Sequence, residues 1–211
     1  MMKAPGTDAT EDLAQSSDEE LLTRYRDSGQ TRDFDALVHR YQNELYRYLA
    51  RYLGDQALAE DVFQNTFLQV HLKRGLYEDS RPVRPWLYSI ATHQAVDALR
   101  KVGRHPTVSL DQRVASGEAE AGSLVDLLVS GEDGPLDELQ GQERADWVRE
   151  SVARLPETLR QTLLLAYNQD LKYREIAEIL NIPVGTVKSR LHAALAKLQQ
   201  MAKTANRDGS G

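Results

Sequence analysis

From Phe34 the apolar positions fall at Phe34, Leu37, Val38, Tyr41, Leu45, Tyr48, Leu49 and Tyr52. That three-and-four spacing lays one stripe along a helix of about five turns. Ahead of it, Ser17-Asp18-Glu19-Glu20 has the S-x-x-E form of a capping box, and Leu21-Leu22 follow, so a shorter helix starts there. Gly54-Asp55 ends the long helix and caps the next, which carries Leu58, Val62, Phe63, Phe67 and Val70 and stops at Lys73-Arg74-Gly75. Pro82 and Pro85 frame a loop, and from Trp86 the pattern Trp86, Leu87, Ile90, Ala91 and Leu99 predicts a fourth helix that ends at Arg100-Lys101.

Beyond Gly103 the periodicity fades. Residues 103 to about 135 are rich in Gly, Ser, Asp and Glu, with one short apolar run from Leu124 to Val129, and read as a flexible acidic linker. Pro135 opens a second helical region. Trp147, Val148, Val152 and Leu155 mark one helix there, Pro156 starts another through Leu163-Leu164-Leu165, and two short helices follow in quick succession. Alternation of the strand type, bounded by hairpin turns, is absent. The expected fold is therefore all-α, with two small helical domains at 18–102 and 136–203, a disordered acidic tail at 1–17, the linker at 103–135 and a disordered tail at 204–211.

Charge changes this picture by its distribution. The formal net charge of −6 argues against a nucleic-acid partner, but residues 103–143 alone carry −7, whereas residues 144–203 carry +4. There is no cysteine, which removes thiolate catalysis, disulfides and most structural zinc sites, and the five histidines show no ligand spacing. No metal or other cofactor is expected. Met1 to Glu20 is acidic and polar, and no run approaches the ~20 apolar residues of a membrane span. A cytoplasmic protein without membrane insertion is the expectation.

The densest chemistry lies in Tyr173-Arg-Glu-Ile-Ala-Glu-Ile-Leu-Asn-Ile-Pro-Val-Gly-Thr-Val-Lys-Ser-Arg-Leu-His192. Ile176, Ala177 and Leu180 give a short helix an apolar face with one small residue, and Asn181 suits a left-handed turn. Pro183 pre-sets the entry of a second helix. There Val187, Leu191 and Leu195 face inward, which leaves Thr186, Lys188, Ser189, Arg190 and His192 on the outer side. Such a helix-turn-helix places its second helix in the major groove, where Arg can grip guanine and the others can hold phosphates. In the first half, aromatic and basic residues interleave: Lys73, Arg74, an expectedly exposed Tyr77, Arg81, Arg84, Trp86, Tyr88, His93, Arg100 and Lys101. That mixture suits splayed single-strand bases, which stack on rings while phosphates meet cations. Trp86 reads more readily as core than as a base platform. Adjacent carboxylates such as Glu60-Asp61 diverge by about 100° on a helix, so no acid–base pair and no enzyme is indicated.

These segments resemble the extracytoplasmic-function group of sigma factors in the sigma-70 family. The resemblance rests on Ala59-Glu-Asp-Val-Phe-Gln-Asn-Thr-Phe67, on Pro85-Trp-Leu-Tyr-Ser-Ile-Ala-Thr-His-Gln-Ala-Val-Asp-Ala-Leu-Arg100, and on Leu155-Pro156 with the helix-turn-helix. It implies that Asp61, Gln64, Asn65 and Phe67 face core RNA polymerase. It further implies that the loop and helix around Lys73 to Lys101 open and read the −10 element, and that Pro183 to His192 read the −35 element. Core RNA polymerase, promoter DNA and an anti-sigma factor are the implied partners. Asn65 stands where the family more often has an acid, Thr92-His93 where it has Arg-Asn, and Lys172 where a Ser or Thr caps the helix. A conventional two-domain helix-turn-helix regulator is the alternative, and it would bind duplex DNA unaided.

Overall fold

The computed structural model describes residues 13–103, 138–168 and 171–208. The first lobe comprises α1 (Asp18–Ser28), α2 (Thr31–Leu53), α3 (Gln56–Lys73), a 3-10 turn (Arg74–Leu76) and α4 (Val83–Lys101). The second comprises α5 (Glu138–Ala153), α6 (Glu157–Asn168), α7 (Tyr173–Leu180) and α8 (Val184–Asp208). Among the described residues there is no strand, as an all-α chain requires.

The local signals act where the sequence puts them. Ser17 Oγ accepts from the Glu20 N–H at 3.1 Å, and the Ser17 N–H donates to Glu20 Oε2 at 2.9 Å, a complete capping box for α1. Gly54 closes α2 in the left-handed region at φ 67°, and Asp55 caps α3 by accepting from the Leu58 N–H at 3.1 Å. α4 begins at Val83 rather than Trp86, because a first-turn N–H needs no partner within the helix and Pro85 fits there. The Val83 N–H instead donates to Glu19 Oε1 at 3.0 Å, tying α4 to α1.

Both tails are shorter than expected where they can be followed. Residues 13–15 are helical, and the Leu13 carbonyl accepts from Arg40 at 2.6 Å while Arg40 also pairs with Asp18 at 2.7 Å. α8 runs to Asp208, past the expected end at 203, since nothing between Gly185 and Gly209 breaks a helix. It is thus a long helix, not a short one. The linker expected at 103–135 lies outside the described residues apart from Gly103, as does Pro135.

The core of the first lobe is built from Leu21, Leu22, Leu45, Leu49 and the fully buried Tyr48, Tyr52 and Tyr88. Tyr48 stacks on Tyr52 with centroids 6.0 Å apart and meets the Tyr88 edge at 5.4 Å. Its hydroxyl is paired with Thr92 at 2.8 Å, so burial of the polar tip is compensated. In the second lobe Leu163, Leu164, Leu165, Ile176 and Ile179 are enclosed with Val187, Ala194 and Leu198 of α8. The two lobes touch. α2 packs against α6, α4 packs against α7, and the Tyr52 hydroxyl donates to Glu157 Oε1 at 2.9 Å.

Candidate nucleic-acid interface

α7 and α8 form the expected helix-turn-helix. Asn181 takes φ 51° and ψ 50°, the only positive-φ non-glycine position among the described residues, and its N–H reaches back to the Ala177 and Glu178 carbonyls. The Ile182 N–H also returns to Ala177 at 3.0 Å, so the turn closes over the small residue. Pro183 accepts from the Thr186 and Val187 N–H groups at 2.9 and 3.2 Å and so starts α8. Lysine offers no acceptor, so at the start of α7 only the returning half of a capping box forms, with the Lys172 N–H donating to Glu175 Oε2 at 2.7 Å.

Val187 and Leu191 are buried and Leu195 is half-buried, while Pro183, Lys188, Ser189 and His192 are exposed. Thr186 and Arg190 sit half-buried at the edge of this face. Burial holds the Arg190 guanidinium below its ordinary value without threatening its charge. Its stem therefore rests on the protein while its head remains a cation at the margin of the outer face. Ser189 donates to the Thr186 carbonyl at 3.1 Å, which orients its hydroxyl within the first turns. The arrangement is a row of donors on the first two turns of a helix whose back is anchored in the core. Duplex DNA in the major groove is the ligand that such a row fits.

The interleaved segment of the first lobe departs from expectation at its aromatics. Tyr77 is buried rather than exposed, at 3%. Its ring lies 5.2 Å from that of half-buried Trp86, and its hydroxyl donates to the Arg81 carbonyl at 2.5 Å. Burial pushes its pKa up to about 12. Tyr77 is thus the peg that shapes the loop, not a platform for a base. α1 contributes the second anchor, which no local pattern announces: Arg26 donates to the Tyr77 carbonyl at 3.1 Å and pairs with Asp79 at 2.5 Å. Thr23 adds a bond to Asp79 at 3.2 Å.

The expected cations divide into two sets. Lys73, Arg81, His93, Arg100 and Lys101 are exposed around the α3–α4 loop and along α4. Arg81 and Arg100 make only exposed pairs, with Glu78 and Asp97 at 3.3 Å each. Such pairs contribute about 0–1 kcal/mol and yield readily to phosphate. Arg74 and Arg84 are more committed. Arg74 lies over the Tyr25 ring at 5.4 Å and donates to the His71 carbonyl, whereas Arg84 lies over Tyr41 and pairs with Glu44 at 3.1 Å. Thr92 is buried with Tyr48, so the neighbouring His93, whose Nδ1 sits 2.6 Å from the Ser89 carbonyl, is the outward member of that pair.

A third surface runs along α3. Asp61, Gln64 and Asn65 are exposed on one ridge, as the resemblance requires, but Phe67 is not. It is 7% exposed and meets the edges of Phe63 and Phe34 at 5.1 and 6.0 Å. The residue that continues the ridge at i, i+3, i+4 and i+7 is Leu68, which is 52% exposed, followed by Leu72 at 62%. Adjacent apolar residues at 67 and 68 differ by about 100° around the helix, and the packing of Phe34 decides which one turns inward. Among the described residues no cluster of His, Cys, Asp or Glu could hold a metal, and no helix is long and apolar enough to cross a membrane.

Comparison with known proteins places these surfaces in context. The profile described as sigma-70 region 2 matches residues 37–105, and that of sigma-70, region 4 matches residues 145–198. The ECF RNA polymerase sigma factor SigW of Bacillus subtilis is 32% identical over 81% of this chain and 89% of its own. The RNA polymerase sigma-H factor of Pseudomonas aeruginosa is 32% identical over 86% and 92%. The ECF RNA polymerase sigma-E factor of Escherichia coli is 31% identical over 85% and 91%. In fold the chain is similar to CnrH, solved with the cytosolic domain of CnrY, at a TM-score of 0.62, 22% identity and coverage of 90% and 99%. It is also similar to the sigma factor RpoE of Bartonella quintana, solved with the anti-sigma factor NepR, at 0.59, 21% identity and coverage of 81% and 97%.

Proposed function

This chain belongs to the extracytoplasmic-function sigma factors of the sigma-70 family, with a role in transcription initiation, and we propose that its lobes divide the reading of a promoter between them. α8 holds duplex −35 DNA through Thr186, Lys188, Ser189, Arg190 and His192. The loop at 73–82 and the exposed cations of α4 take the −10 element and help to keep it open, with unpairing offset by capture of bases at about 1–3 kcal/mol each. The α3 ridge of Asp61, Gln64, Asn65 and Leu68 docks on core RNA polymerase. Neither lobe performs bond chemistry. The observation that carries the reading is the row of donors on the first turns of α8 above buried Val187 and Leu191.

CnrH and RpoE were each solved with a partner, and for RpoE that partner is an anti-sigma factor; we extend the same kind of antagonist to this chain. Transcription from a promoter library by core RNA polymerase, with and without the purified protein, tests the central claim. New start sites that share two upstream elements are expected. Tight binding to duplex DNA by the protein alone, with no initiation gained by the polymerase, would replace this reading with that of a conventional regulator.

A further inference from the structure

Three polar residues of α1, Glu19, Thr23 and Arg26, follow one another at i, i+4 and i+7, the spacing that sets side chains in a single row along a helix. All three are half-buried, and all three reach the same loop. The Arg26 guanidinium forks onto Asp79, with Nη1 to Oδ1 at 2.5 Å and Nη2 to Oδ2 at 3.2 Å, and Nη1 also donates to the Tyr77 carbonyl at 3.1 Å. Thr23 donates to Asp79 Oδ1 at 3.2 Å. Glu19 accepts from the Val83 N–H at 3.0 Å, on the far side of the loop. One row of α1 therefore grips the chain on both sides of Ser80 to Pro82.

The loop adds its own ties across the same gap. The Tyr77 hydroxyl donates to the Arg81 carbonyl at 2.5 Å, and the Arg81 N–H donates to the Glu78 carbonyl at 2.9 Å. With Tyr77 and Val83 buried, the backbone is held at both ends and across its middle, while Glu78, Ser80 and Arg81 stand exposed at the tip. A lysine at 26 could not make the same set of bonds, because an ammonium lacks the planar fork that meets a carboxylate and a carbonyl together. Asp79 is 57% exposed, so its pairing contributes little to global folding. What the row fixes is one backbone shape for a segment that has no helical or strand bonds of its own. A loop ordered in advance need not be ordered when it closes on a ligand, which favours both affinity and selectivity.

We infer, taking the reading of the −10 element by this loop as proposed above, that Glu19, Thr23 and Arg26 are positioning residues. α1 sets the shape in which Glu78, Ser80 and Arg81 meet unpaired bases, and so shares in the choice of promoter without touching DNA. The test uses the full chain with core RNA polymerase and a labelled template whose −35 element is duplex and whose −10 strand is single. Each of the four bases is placed in turn at each exposed position. At the position the loop reads, Arg26→Gln is expected to lower the ratio of best to worst base about tenfold, with binding to polymerase and to a −35 duplex unchanged. Asp79→Ala has the same effect, and the double variant loses no more than either alone, because both act through one tie. Arg26→Lys recovers only part of the preference. Without DNA, hydrogen exchange at the Arg81 amide is about tenfold faster in Arg26→Gln than in the parent.

Equal losses for all four bases, with a lowered unfolding midpoint, overturn the positioning role and leave α1 a structural support. Additive losses in the double variant overturn it too, since Arg26 then touches DNA itself. So does an Arg26→Gln protein that keeps the parent's base preference and Arg81 exchange rate. A parent with no base preference at any position, but with Arg81 exchange still accelerated in Arg26→Gln, refutes the promoter reading while leaving the grip of α1 on the loop established.

Discussion

Phe67 and Leu68 are neighbours in sequence with opposite expected fates, and truncating each in turn tests the docking ridge. Phe67 is 7% exposed and packs edge-on against Phe34 and Phe63. Phe67→Ala removes a whole buried ring and leaves a cavity, at a cost of about 3–5 kcal/mol. That is a large share of the roughly 5–15 kcal/mol that holds a domain folded. Leu68 is 52% exposed, so Leu68→Ala changes stability by no more than about 0.5 kcal/mol. On docking, the exposed half of its side chain leaves water. Full burial of a Leu contributes about 1.5–3 kcal/mol, so half of it contributes about 1 kcal/mol, or roughly fivefold in Kd.

Urea unfolding followed by circular dichroism reads the first quantity, and equilibrium titration of labelled protein with core RNA polymerase reads the second. Phe67→Leu, a gentler change, keeps the first comparison within the folded regime. The reasoning is refuted if Phe67→Ala keeps its unfolding midpoint and loses polymerase affinity while Leu68→Ala binds as tightly as the parent.

Four further expectations concern other parts of the molecule. Arg190→Ala should weaken binding to a −35 duplex by about 10- to 100-fold, with polymerase affinity retained, in fluorescence anisotropy. Lys188→Ala should instead lower affinity for all duplexes alike and flatten the salt dependence by about one unit. Asn181→Ala should cost about 1–2 kcal/mol in thermal unfolding because alanine resists the left-handed turn, whereas Asn181→Gly should not destabilise. The Arg26 hydrogen bond holds the Asp79 carboxyl below its ordinary value. The stability it contributes is therefore present above the ordinary carboxylate value of about 3.9 and is lost as pH falls from there through the lower folded value. Trp86 fluorescence in a Trp147→Phe background should report that loosening below about pH 4, and Asp79→Asn should abolish the component.

What was legible in the sequence was local. Ser17 with Glu20, Gly54 with Asp55 and Asn181 with Pro183 each act over a few residues through a backbone N–H or a single φ angle, so their effect can be read without knowing the fold. The stripe on α2 was legible because one long face is buried throughout. What was hidden depends on partners distant in sequence. Phe67 turns inward because Phe34 of α2 awaits it, and Tyr77 is buried because Trp86 and the reach of Arg26 across 51 positions enclose it. An aromatic beside cations carries the same signature whether it stacks on a base or plugs a loop. The Tyr52–Glu157 bond, which spans 105 positions, had no signal at all.

The short turn from α7 to α8 separates what can drift in this protein from what cannot. Val187 and Leu191 lock the helix to its support, while the side chains at 188, 189 and 192 contribute little to that packing. If the row reads DNA as proposed, substitutions there would change the sequence preference without refolding the helix. Length has no such freedom, because a single residue inserted between Ser189 and Leu191 would turn every later side chain by about 100° relative to Val187 and pull Leu191 out of the core. Anyone retargeting this factor to synthetic promoters should therefore randomise identities at those positions and hold the spacing constant.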